Sequence, residues 1–127
     1  MDTKNFNILY LHTHDAGRYI KPYGYNVETP NLQKLAEEGI VFRQAFCANP
    51  TCSPSRAALL TGQMPHANGM LGLAHLGFEL NDYNKHIIHT LQKANYHTAL
   101  IGFPHIAHPK EEVIGYNEII KGGSLVK

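Results

Sequence analysis

The stretch from Asn5 to His12 carries Phe6, Ile8, Leu9, Tyr10 and Leu11 almost without interruption. A run that is apolar on both faces suits a strand covered on both sides, so it is predicted as a central strand of an α/β sheet. It runs into His12-Thr13-His14-Asp15-Ala16-Gly17-Arg18, a polar stretch at the place where an α/β protein puts its ligand loop, beyond the carboxyl end of a strand.

Punctuation organises the rest of the chain. Thr29-Pro30 supplies a helix N-cap and a first-position proline, Leu32, Leu35 and Ala36 make an apolar stripe, and Gly39 is placed to end the helix. Ile40 to Phe46 reads as a second strand and Cys47 to Ser53 as a loop. Ser53-Pro54 opens a second helix through Ala57, Ala58, Leu59 and Leu60, stopped by Gly62. A third helix is predicted from Asn81 or Asp82 to about Ala94, leading into a strand from His97 to Gly102. The order β-α-β-α-α-β implies a mostly parallel sheet flanked by helices. Three strands are few against the ~5–6 of an average sheet, and the tail after Gly115 has no strong period, so the sheet reads as unfinished.

The 127 residues and 43% apolar composition fit one compact, packed unit. Eleven Lys plus Arg against ten Asp plus Glu leave no net field for a nucleic-acid backbone or an anionic membrane, so neither is expected as a partner. No apolar run approaches the ~20 residues of a membrane span, and the start lacks the order of a secretory signal, so a cytoplasmic location is expected. Cys47 and Cys52 lie too close in one loop for a structural disulfide to be favoured. His86 and His89 sit three apart on the third helix, with no Cys or carboxylate at ligand spacing, and read as helix surface.

The chemistry concentrates at Cys52-Ser53-Pro54-Ser55-Arg56. If Ser53 caps and Pro54 opens the helix, Cys52 stands at its positive end, where free N–H groups and the macrodipole favour a thiolate or a bound oxyanion. Arg56 then falls in the first turn, where a cation is disfavoured unless an anion offsets it, and a guanidinium fork matches the oxygens of sulfate or phosphate. The alternative is a buried small thiol beside an exposed arginine.

The longer segment, Cys52 to Gly62, resembles the sulfatase family's C-x-P-S-R followed by an apolar helix and T-G. Similarity extends along most of the chain: Asn7 to Leu11 to the family's first strand, Thr29 to Gly39 to its first helix, Phe42 to Phe46 to its second strand, and Ile101 to His105 to its G-K-x-H. His66 to Leu73, H-x-N-G-M-x-G-L, is closest to the sulfamidase branch, which cleaves N-sulfate from glucosamine. The resemblance implies an alkaline-phosphatase-like α/β fold, of which residues 1–127 form the N-terminal segment of the catalytic domain, with the C-terminal remainder absent. It also implies a sulfuric ester or N-sulfate hydrolase acting on a sulfated small molecule or saccharide.

In that family a separate maturation enzyme oxidises the cysteine to formylglycine, whose hydrated aldehyde provides the attacking oxygen. The resemblance therefore makes Cys52 the nucleophile's precursor and Arg56 the residue that holds it, and places His105 near the leaving group or the sulfate oxygens, with a satisfied core histidine as the alternative for His105. Asp15 matches a metal-binding aspartate, with the loop-capping role as the alternative. His14 stands where the family carries a second aspartate, so the metal set implied is Asp15, His14 and the converted Cys52. Calcium is the family's metal, whereas an imidazole suits manganese, iron or zinc better. His12 is assigned a packing role beside them.

Two departures stand out. The family lysine two residues before the histidine is Phe103 here, which removes one cation for sulfate and opens phosphonate or phosphate esters as alternative substrates. The family's remaining metal ligands lie far downstream, and none is identifiable between His105 and Lys127. The rival readings are an inactive truncated sulfatase that needs its missing half, and an unmodified cysteine phosphatase, whose usual C-x5-R spacing this chain does not have.

Overall fold

The computed structural model describes residues 6–121. The chain divides into two compact units, Met1–Ala45 and Phe46–Lys127, where length alone suggested one.

In the first unit the apolar run does not become a strand. Residues 6–12 form no ladder, and Phe6, Ile8, Leu9, Tyr10 and Leu11 are exposed, Leu9 at 87%. A strand exists only through its pairing, and among the described residues nothing pairs with this one. Asn5 lies outside them. The same holds from residue 40 to 46, where Ile40, Phe42 and Phe46 are exposed and no strand forms. The helix between them forms as its punctuation dictates: α1 is Pro30–Glu38, with Thr29 at the N-cap and Gly39 at the C-cap. Its apolar stripe is uncovered, with no buried residue. Thr29 Oγ1 does not cap it, accepting instead from the Lys21 N–H at 3.1 Å.

The second unit holds a core. Helix α2, Cys52–Thr61, starts earlier than the proline suggests, with Thr51 at the N-cap and Gly62 in the left-handed region (φ 67°) donating to the Ala58 carbonyl. After it come α3, Pro65–Asn68, and α4, Ile87–Lys93. The third helix of the sequence reading is thus split into a 3-10 turn, Tyr83–Lys85, and α4, with His86 between them as N-cap. Strand β1, Ala99–Ile101, lies inside the predicted strand and pairs in parallel with β2, Glu118–Ile120, Leu100 opposite Ile119. The α/β class and parallel pairing stand, while the order is helices first and strands last. Ala57, Met70, Leu80, Ile88, Ile106, Ala107 and Ile114 form the buried cluster, with Leu60, Tyr83 and Tyr116 packed against it.

Polar side chains fix the sheet's start. The Thr98 N–H donates to Asn117 Oδ1 at 2.9 Å, and Gln92 Nε2 donates to Thr98 Oγ1 at 2.9 Å and to the Gly115 carbonyl at 2.8 Å. His86 and His89 are not a helix surface. His86 is 1% exposed, its Nδ1 accepts the Ile88 N–H at 3.2 Å, and its ring meets Tyr116 edge-on at 5.5 Å. His89 Nε2 lies 3.0 Å from the Ile114 carbonyl. No helix among the described residues is long and apolar enough to cross a membrane.

Candidate functional site

Cys52 is the first residue of α2, a half-buried free thiol at the end of the helix where N–H groups lack intrahelical acceptors. Because the helix starts at Cys52, Arg56 lies one turn on at i+4, on the same face, and not in the first turn as the sequence suggested. A full turn separates it from the positive end, which lessens the clash between its charge and the macrodipole. Both residues are half buried.

Interlocking hydrogen bonds hold this helix. At its start the buried Ser53 Oγ accepts the Ala74 N–H at 3.1 Å. At its end Thr61 Oγ1 donates to the Ala57 carbonyl at 2.6 Å. Asn68 joins that end to the next loop: its Nδ2 donates to Thr61 Oγ1 at 3.3 Å and to the Gln63 carbonyl at 3.0 Å, while Oδ1 accepts the Met70 N–H at 2.9 Å. Gly69 follows at φ 87°, and a Cβ there would run into the Asn81 side chain. The Asn-Gly-Met run that carried the branch-level likeness therefore has a structural task.

His105 comes from a distant part of the same unit's sequence. It follows β1 and Gly102, beyond the strand's carboxyl end, with its backbone in the left-handed region at φ 58°. A non-glycine residue there costs roughly 1–2 kcal/mol, tolerated where the surroundings hold it. Buried Pro104 and Ile106 flank it. Its ring nitrogen and the Cys52 Sγ lie within 4.8 Å of each other. The second unit thus brings together the sulfur and the imidazole, with Arg56 one turn further along α2.

Beside His105 opens a cavity of about 160 Å³, lined by Ser53, Ala74, His75, Phe103, His105, Ala107, His108 and Glu111. Phe103, in the position of the family lysine, forms part of this wall and meets His105 edge-on at 6.4 Å. His75, His108 and Glu111 were not singled out from the sequence, because no spacing links them to Cys52.

The first unit holds the other two candidates. His14 Nδ1 and Asp15 Oδ2 are 2.9 Å apart on side chains 45% and 84% exposed, and Asp15 has φ 55°. His12 packs against the Tyr10 ring at 5.7 Å.

The sulfatase family model matches residues 7–123. The chain belongs to the sulfatase family. Among this chain's relatives, the N-acetylgalactosamine-6-sulfatase of Homo sapiens is 38% identical over 104 residues, 74% of this chain and 19% of that protein. The N-sulphoglucosamine sulphohydrolase of Homo sapiens is 38% identical over 103 residues, 79% of this chain and 20% of that protein. The N-acetylglucosamine-6-O-sulfatase of Bacteroides thetaiotaomicron is 36% identical over 107 residues, 83% of this chain and 19% of that protein. The sulfamidase likeness read from His66 to Leu73 is thus represented among the relatives, beside O-sulfatases of similar identity. The chain spans about a fifth of the length of the relatives it matches. Sulfatases generally use a metal and a formylglycine.

Proposed function

We propose that this chain carries the nucleophile end of a hydrolase for sulfuric esters or N-sulfates, with Cys52 as the precursor of formylglycine. The observation that carries the reading is the placement of Cys52 at the first position of α2, with Arg56 at i+4 and His105 within 4.8 Å. A sulfate seated there would accept from the helix-end N–H groups, and its developing charge would be offset by the Arg56 guanidinium. His105 is positioned to hold or deliver the proton that the leaving oxygen or nitrogen needs.

Conversion of Cys52 by a maturation enzyme would supply a hydrated aldehyde as nucleophile, and a bound divalent cation would lower the pKa of that group and polarise the sulfate. Asp15 and His14 are the residues proposed to hold the cation. Their donor set fits one: His14 Nδ1 and Asp15 Oδ2 lie 2.9 Å apart, the spacing of two neighbouring ligand atoms around one ion. This mixture of nitrogen and oxygen favours manganese, iron or zinc over calcium.

Phe103 in place of a lysine supports a second reading, a phosphonate or phosphate ester hydrolase of the same superfamily. The test is the mass of the Cys52 peptide from the native host, followed by parallel turnover of aryl sulfate and aryl phosphonate. An unmodified thiol in protein that is nevertheless active would remove the formylglycine assignment, and a phosphonate preference would select the second reading.

A further inference from the structure

The chain contains a single Asn-Gly pair, Asn68-Gly69. This dipeptide is the one most prone to deamidate, because a glycine without a side chain lets its backbone nitrogen approach the asparagine carboxamide. The fold requires both residues. Asn68 supplies the clamp at the end of α2, and Gly69 has φ 87° with the Asn81 side chain where a Cβ would stand. Asn68 is 3% exposed, and the groups that would react are all engaged. The Gly69 N–H donates to the Pro65 carbonyl at 2.9 Å and the Asn68 carbonyl accepts the Asn81 N–H at 2.8 Å, which fixes the peptide plane between the two residues from both sides. The carboxamide itself holds three bonds, to Thr61, Gln63 and Met70. Ring closure between the carboxamide and the Gly69 nitrogen therefore needs α3 to open.

We propose that Asn68-Gly69 is a latent modification site, closed to deamidation in the folded chain, opened when α3 unfolds, and converted there to a residue that cannot clamp α2 again. In this step the Gly69 nitrogen bonds to Asn68 Cγ, the Cγ–Nδ2 bond breaks, and ammonia leaves with the proton from that nitrogen. Water then opens the succinimide at either carbonyl, leaving aspartate or isoaspartate. Neither product fits the clamp. Thr61 Oγ1 gives its hydrogen to the Ala57 carbonyl at 2.6 Å and so can only accept from residue 68, as can the Gln63 carbonyl. A carboxylate donates to neither and sets an oxygen against both. Isoaspartate also lengthens the main chain at the Gly69 turn.

The experiment uses the natural polypeptide that contains this chain, held at one pH and temperature either in native buffer or in guanidinium chloride. Conversion at Asn68 is followed by the mass of its proteolytic peptide. It should be at least about tenfold slower in the folded protein than in the unfolded one, because the reaction waits on local opening. A smaller difference would overturn the proposal. The second arm tests the consequence with Asn68→Asp, the direct product. This variant should unfold at least about 3 °C below the parent or fail to fold. A midpoint unchanged from the parent's would overturn the proposal as well. The first arm needs no substitution, so it decides even where the variant does not fold.

Discussion

Acidification below pH 6.5 should weaken the second unit through His86. The ring is buried, and its Nδ1 is the acceptor that caps α4 at the Ile88 N–H. A protonated ring cannot accept there and would place a cation at the helix's positive end. Burial, and then the charge of nearby His89, lower its pKa from 6.5 to about 4, while the other ring facing it, Tyr116, is neutral at these pH values. At ~1.36 kcal/mol per pH unit this drop is worth about 3 kcal/mol, a large share of a typical ~5–15 kcal/mol. The sign comes from linkage. The unfolded chain takes up the proton near 6.5 and the folded one only near 4, so the contribution is fully present above 6.5, is lost between 6.5 and 4, and levels off below. His86→Asn keeps a good N-cap acceptor and cannot titrate. Urea unfolding of both proteins between pH 7.5 and 4.5 should show a loss in the parent exceeding that of the variant by about 2–3 kcal/mol. Because asparagine is smaller, the comparison is between slopes and not absolute stabilities. Parallel pH dependences would refute the coupling of this cap to stability.

Cys52→Ala in the natural polypeptide should abolish aryl sulfate turnover while circular dichroism stays that of the parent, because the side chain is half buried and fills no core space. Asp15→Asn should lower metal affinity and turnover together, since it removes a formal charge with little change in shape; an unchanged metal titration would return Asp15 to the loop-capping role. Gly69→Ala should destabilise by about 1–3 kcal/mol in thermal unfolding, because φ 87° and the Asn81 side chain both oppose a Cβ.

Helices α1 and α2 were legible because their ends are written in single residues: Thr29, Pro30 and Gly39 for one, Gly62 for the other. Cys52 and His105 were singled out through the family likeness alone, and the structure sets their ligand atoms within 4.8 Å of each other. Strands resisted, for opposite reasons. Phe6 to Leu11 has the composition of a buried strand, but composition cannot supply the partner that makes a ladder. The pairing of β2 with β1 is fixed by Thr98, Gln92 and Asn117, contacts across 19 to 25 residues that no local pattern encodes. His86 looked like half of a surface pair, since spacing shows which residues share a helix face and not whether that face is covered. Glu111 gave no signal at all, since it joins the cavity wall only through the fold and no sequence spacing links it to Cys52.

The hydrogen bonds at the two ends of α2 bear on transplantation. Ser53 is tied to Ala74 and Thr61 to Asn68, so the helix is clamped at both ends by the single segment that succeeds it. The smallest piece that keeps its own geometry therefore runs from Cys52 to Ala74, not from Cys52 to Arg56. A five-residue graft into another scaffold would carry the side chains and leave the clamp behind, whereas the 23-residue cassette would bring its own frame.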